Sequence, residues 1–221
     1  MSDAIQRDVI TMDGPAASGK SSVARRVAGR LGRIFVGTGS MYRAVTWALL
    51  DLGIDPEDAT AVAEAVRGLQ IEFPVAEGEA RIAVNGRVLD AELTSDAVNQ
   101  AVSFIARVPQ VRDRLVAGQR SLAGIGPLVM EGRDIGSVVF PDAAHKFYID
   151  ASEEVRSRRR HAQGHKDSVT ERDRLDSTRK TSPLVIAKDA IVIDSSDLSL
   201  DEVVDAVLAA LPAHAPTARA G

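Results

Sequence analysis

The feature that most constrains this chain is Gly14-Pro15-Ala16-Ala17-Ser18-Gly19-Lys20-Ser21, a GxxxxGKS pattern followed by Ser22. It lies between a short apolar run, Asp8–Asp13, and a segment in which Val23, Val27 and Leu31 recur at helical spacing. That strand–loop–helix context is the one the pattern requires. Glycines at both ends let backbone N–H groups curl around a polyphosphate, and the following helix adds the positive end of its dipole. Lys20 is placed to reach the β- and γ-phosphates, and the Ser21 hydroxyl to ligate Mg²⁺. Residues 14–22 are therefore read as a cradle for a nucleoside triphosphate. The rival reading, a glycine-rich turn with an incidental lysine, must explain why Gly14, Gly19, Lys20 and Ser21 all fall in register with the fold signal. Asp13, just ahead of the loop, has two readings: a metal contact through water, or a buried strand-end carboxylate bonded to the loop.

The rest of the chain alternates strand and helix. Ile34–Val36, Leu128–Met130, Lys146–Ile149 and Ala190–Ile193 are further apolar runs of the kind that fill a parallel sheet covered on both faces. Helical patterns run over 20–31, 40–52, 56–67, 94–104 and 109–123, with Pro56 and Pro109 as openers. This βα alternation predicts an α/β fold, a doubly wound parallel sheet. Between about 68 and 92 the pattern changes: Gln70–Val75, Ala80–Asn85 and Arg87–Leu89 read as short strands around turns at Glu77-Gly78 and Asn85-Gly86. We read 68–92 as a small antiparallel β insertion in a core made of 1–67 and 93–211, with a flexible tail over 212–221. At 221 residues one enlarged domain is expected, at about 150 residues per domain.

Composition narrows the function classes. Aromatic residues are 4% of the chain, so the core must be built from Ala, Val, Leu and Ile. The absence of cysteine removes disulfides and thiolate chemistry. No stretch of about 18 uncharged apolar residues exists, and Asp3, Arg7 and Asp8 stand where a signal peptide would be apolar. A cytoplasmic protein with no membrane association is expected. Net charge is −4, yet residues 151–180 hold nine Lys/Arg against six acids. A broad nucleic-acid face is disfavoured, and a compact site for a few phosphates is favoured.

Arginines and acids stand at defined places. Arg43 lies early in the second helix, and Arg133-Asp134 at the carboxyl end of a strand, where open α/β sheets hold ligands. Arg156 and Arg160 share a helix face with Arg159 beside them, and Arg172, Asp173, Asp176 and Arg179 form an acid–base ladder. Guanidinium forks hold phosphate oxygens bidentately and stay charged. Each pattern has a plainer reading: a solvated helix face for 156–160, internal ion pairs for 172–179, a strand-end ion pair for Arg133-Asp134. His161 and His165 have no third ligand nearby and read as surface residues; Trp47 reads as core. No Asp is followed by Gly three residues on, and neither Asn85 nor Asn99 opens an NKxD, which excludes a G protein. A small kinase remains, against rivals for another acceptor or a nucleotide-binding regulator without turnover.

The strings DGPAASGKSS, GTGSMYRAVTWALL, VSFIARVPQVRDRL, EGRDIGSVVFPDA and RDRLDSTR together resemble the bacterial cytidylate kinases, in the family's order from about Ile10 to Val207. The resemblance implies a P-loop nucleoside monophosphate kinase fold with a lid over about 156–180, and transfer of the γ-phosphoryl of ATP to CMP or dCMP with Mg²⁺, by a monomer. It implies that Arg43, Arg133 and Arg179 clamp the CMP phosphate, that Ser103, Arg112 and Asp134 read cytosine, and that Thr38, Arg172 and Asp176 contact the sugar. It assigns Arg156, Arg159 and Arg160, with Lys20, to the moving phosphoryl group. Two departures stand out: relatives usually carry Asp where this chain has Gly37, and only ten residues separate Arg160 from Glu171.

Overall fold

Five apolar runs of the sequence become five parallel strands of one sheet. The computed structural model describes residues 8–162, 169–178 and 184–212; for Val169, Glu171, Arg172 and Ser177 the description covers the backbone. In chain order the elements are β1 (Val9–Asp13), α1 (Lys20–Leu31), β2 (Ile34–Gly37), α2 (Thr38–Asp51) and α3 (Ala59–Gly68). Next come β3 (Ile71–Glu72), β4 (Val75–Ala76), β5 (Glu79–Ala80), β6 (Ala83–Val84) and β7 (Arg87–Val88). The remainder is α4 (Asp96–Ile105), α5 (Pro109–Leu122), β8 (Leu128–Gly132), β9 (His145–Asp150), α6 (Glu153–Ala162), α7 (Val169–Ser177), β10 (Ile191–Asp194) and α8 (Leu200–Ala210).

The main sheet runs β10-β9-β1-β8-β2-β5-β4. β1 is buried at every position because both sheet faces are covered. On one face Ile10, Met12, Val129, Phe147 and Ile149 pack with Val23 and Val27 of α1 and Val203, Val204 and Val207 of α8. On the other, Val9, Val36, Leu128 and Met130 pack beneath Met41, Val45 and Leu49 of α2 and Val111 and Leu115 of α5. Alternate residues of each strand thus belong to opposite cores, which explains why these runs are continuously apolar. Trp47 is partly buried against the second core, and the Arg87 guanidinium sits 4.8 Å over its ring.

Strand register fixes where the site forms. Asp13 of β1 stands opposite Gly132 of β8 and Tyr148 of β9, and Gly37 of β2 stands opposite Glu131. The chain therefore leaves β1, β2 and β8 at one level, and the segments starting at Gly14, Thr38 and Arg133 share one sheet edge.

Segment 68–92 departs from one antiparallel sheet. The run 70–75 is broken at Phe73-Pro74, because Pro74 lacks the N–H a ladder needs. Phe73 instead packs on α5, where a Cβ on Gly118 would come within 2.0 Å of its ring. Hairpin β4–β5 turns at Glu77-Gly78 and extends the main sheet through parallel pairing of β5 with β2. β3, β6 and β7 form a separate three-stranded sheet with the second hairpin turn at Asn85-Gly86. Both turns have two consecutive positive φ values, the geometry for which an Asn-Gly pair is suited.

Helix starts also shift. α3 opens at Ala59 rather than at Pro56, because the Asp58 carboxylate accepts from Thr60 N and Ala61 N, both at 3.0 Å. α2 begins at Thr38, two residues ahead of the expected start at Ser40. After Asp134 the chain makes a π-helical turn over Ile135–Val139 that the sequence pattern does not signal.

Candidate active site

Residues 14–19 connect β1 to α1 in a tight curl. Gly14 admits no side chain: a Cβ there would stand 2.1 Å from the carbonyl oxygen of Ile149. Ala17 and Gly19 both have positive φ, so successive N–H groups turn inward. Lys20 is buried and donates from Nζ to the Pro15 carbonyl at 2.9 Å, bridging its own loop. The Ser21 hydroxyl donates to Glu131 Oε1 at 2.8 Å. Ser18 lies inside the loop, buried, with its hydroxyl 3.2 Å from the position of a Cβ on Gly14.

Asp13 is buried at the end of β1, and its carboxylate bonds to the turn after Asp134 and not to the P-loop. Its two carboxylate oxygens accept from Ile135 N at 2.8 Å and Gly136 N at 2.7 Å, so it ties the P-loop strand to the π-helical turn. Burial pushes its carboxyl up to about 7, against the opposing pull of the two backbone hydrogen bonds.

A cleft of about 250 Å³ opens beside the loop. Its walls bring together Ala16, Ala17, Gly19, Lys20, Ser21 and Ser22 with Thr38, Arg43, Ser103, Arg112, Arg133, Asp134, Arg160 and Asp176. These positions come from six helices and two strand ends, and the shared sheet edge is what joins them. Arg133 donates from Nη1 to the Gly14 carbonyl at 3.0 Å and from Nε to Asp176 Oδ2 at 2.7 Å, linking P-loop and α7. Burial works against its charge, but the carboxylates of Asp176, Glu131 and Asp173 outweigh it and hold the guanidinium above its ordinary range. Arg112 and Asp134 form a buried ion pair that lines the cleft. Thr38 donates from its hydroxyl to the Glu131 carbonyl at 2.8 Å.

The arginines of α6 divide. Arg160 lines the cleft. Arg156 does not: it is fastened to Ala151 O at 3.0 Å, to Ala16 O at 3.3 Å and to the Asp173 carboxylate. Arg159 reaches the other side of the P-loop, bonding Ser18 O at 3.2 Å and Ser195 O at 2.7 Å. There it borders a second cavity of about 390 Å³, with Ala17, Gly19, Ser195, Leu198 and Leu200. The crowding of arginines in 156–160 is thus relieved by acceptors inside the protein. Arg158 and His161 are exposed. Arg179 and His165 lie outside the described residues, as does the side chain of Arg172.

The cytidylate kinase profile matches residues 10–213 of this chain. The chain belongs to the cytidylate kinase family. Among similar proteins, the cytidylate kinase of Mycolicibacterium paratuberculosis is 45% identical over 209 residues, covering 89% of this chain and 92% of that protein. That of Nocardia farcinica is 44% identical over 209 residues, covering 89% and 90%. That of Geobacillus kaustophilus is 43% identical over 214 residues, covering 92% and 96%.

For this member of the cytidylate kinase family, the sequence reading placed Asp173 in an acid–base ladder but gave no site role to it, to Glu131 or to Ser195. Glu131 was legible as the acid that ends the strand beside the P-loop strand. Asp173 accepts from Ala16 N at 2.9 Å, and only tertiary folding brings α7 to the loop. Ser195 follows the last strand on the same edge and accepts from Arg159 at 3.0 Å.

Proposed function

We propose that the chain transfers the γ-phosphoryl group of ATP to CMP or dCMP, giving ADP and CDP or dCDP. The observation that carries this reading is the buried Arg112–Asp134 pair, with Ser103, in the same cleft as the P-loop. Cytosine offers an amino donor at N4 and acceptors at N3 and O2. A carboxylate and a hydroxyl accept from N4 while a guanidinium donates to the ring acceptors. Uracil turns an oxygen towards Asp134 and meets repulsion, a polar mismatch that discriminates far better than a missing methylene.

Arg43, Arg133 and Arg160 line the same cleft and would supply positive charge for the acceptor phosphate and the moving phosphoryl group. Transfer is in line, with no covalent intermediate and no nucleophile asked of the protein. Lys20 leaves its Pro15 carbonyl for the donor phosphates. The second cavity, bordered by Arg159, Leu198 and Leu200, is apolar enough with one guanidinium to take the donor's base.

Mg²⁺ fits the residues present. Ser21 Oγ and Glu131 Oε1 lie 2.8 Å apart at the head of α1, and Mg²⁺ is held by one or two protein oxygens plus phosphates and water. Ser21 would hold it, with Glu131 accepting from its water shell; both oxygens of Asp13 are already engaged. When bound, the ion neutralises charge on the donor phosphates.

An acceptor panel at fixed ATP tests the proposal. CMP and dCMP are expected to drive ADP release, with UMP, AMP, dTMP and shikimate far behind. Turnover led by any of these four overturns it.

A further inference from the structure

Four carbonyls of the P-loop accept from cationic side chains: Gly14 from Arg133 at 3.0 Å, Pro15 from Lys20 at 2.9 Å, Ala16 from Arg156 at 3.3 Å and Ser18 from Arg159 at 3.2 Å. At Ala16 the N–H is held as well, donating to Asp173 Oδ1 at 2.9 Å. The second oxygen of that carboxylate accepts from Arg156, so the two side chains close a ring on Ala16 and grip both of its backbone groups. Ala17 follows with φ 59°, a left-handed conformation that an alanine adopts at a cost and keeps only where its surroundings enforce it. Neither Asp173 nor Arg156 borders the cleft or the second cavity, so the grip comes from outside both. Asp176, one turn further along α7, holds Arg133 on the Gly14 carbonyl, and α7 thereby fastens the loop at a second point.

From this geometry we infer that Asp173 and Arg156 are positioning residues for ATP, which clamp Ala16 and so hold the P-loop in the curl that receives the donor phosphates. The inference rests on the reading that this loop takes those phosphates. Fixing the peptides on either side of Ala16 leaves Ala17 little freedom to relax out of its left-handed conformation. The N–H groups beyond it then stay turned inward before any nucleotide arrives, and binding does not have to order them. Arg156 in this role acts on the backbone of the loop rather than on the phosphoryl group. Charge alone argues the other way: an acid close to a phosphate site repels the phosphate, so its removal would tighten ATP. Positioning and charge therefore predict opposite signs for the loss of Asp173.

The test compares Asp173→Ala with Asp173→Asn, reading equilibrium binding of ATP and, separately, of CMP in the absence of ATP. The asparagine variant loses the charge but keeps an acceptor for the Ala16 N–H. Asp173→Ala is expected to weaken ATP about tenfold, the low end for a hydrogen bond to a charged group, and Asp173→Asn to stay within about threefold of the parent. CMP should bind no more weakly in either. ATP binding unchanged or tighter in Asp173→Ala, an asparagine variant as poor as the alanine variant, or CMP weakened as much as ATP overturns the inference. Should Asp173→Ala fail to fold, Asp173→Ser, whose hydroxyl stops short of the Ala16 N–H, decides by the same ratio of ATP to CMP affinity. Absence of ATP binding in the unsubstituted protein would instead strike the reading of the P-loop, so the two failures are distinct.

Discussion

Ser21 Oγ donates to Glu131 Oε1 at 2.8 Å, joining the first turn of the P-loop helix to the carboxyl end of strand β8. The bond puts a hydroxyl and a carboxylate side by side where donor phosphates are expected, the oxygen set that a hard cation takes. Glu131→Gln keeps the shape and the hydrogen bond but removes the charge. We expect the Mg²⁺ concentration for half-maximal ADP release to rise about tenfold, with CMP binding in the absence of metal unchanged. An unaltered Mg²⁺ titration would remove Glu131 from the metal's surroundings.

Lys20 is held by the Pro15 carbonyl, and the proposed reaction has it exchange that oxygen for phosphate. Its contact strengthens as charge builds on the transferred group, so Lys20→Ala should lower kcat about a hundredfold or more. KM for CMP should move little. A coupled assay of ADP release measures both, and turnover at the wild-type rate excludes the role.

The Arg112–Asp134 pair is buried on both sides. Removing one partner leaves a charge without compensation, which costs about 3–5 kcal/mol. Asp134→Ala should therefore unfold at markedly lower urea concentration and lose its preference for CMP over UMP. The double variant Arg112→Met/Asp134→Leu should recover stability while staying unable to select CMP. A kcat/KM ratio for CMP and UMP that survives Asp134→Ala would show that Asp134 does not read the base.

Asp13 gives a pH signature. Its carboxyl is raised from 3.8 to about 7 in the folded chain, with burial as the largest cause. A raised folded value means that the unfolded chain releases the proton first as pH rises. The stability owed to this group is present in full below about pH 4 and is lost by about pH 7. Urea unfolding of Asp13→Asn should lack that decline, so its stability relative to the parent should climb across this window. A constant difference between the two chains would contradict the raised value.

How much of this was legible in the sequence depends on how local the cause is. The P-loop and α1 follow from neighbours: Gly14 clears the Ile149 carbonyl, and Val23, Ala24 and Val27 face the sheet. The parallel strands follow from apolar runs that need cover on both faces. Pro56 misled because a proline permits a helix start, whereas the Asp58 side chain caps one. The run 70–75 misled because the demand of Phe73 for a seat on Gly118 is not local. Arg43 and Arg133-Asp134 stood out by position, at a helix start and a strand end, whereas Thr38, Ser103 and Arg112 were named through resemblance alone. Asp173 acts through a contact made only when α7 meets the P-loop.

The central claim is that donor and acceptor sites meet in one cleft along that edge. A bisubstrate compound joining adenosine to cytidine through a chain of five phosphates tests it most directly. Inhibition kinetics should show competition with both ATP and CMP, and affinity well beyond either nucleotide alone. Competition with only one of them would contradict a shared cleft.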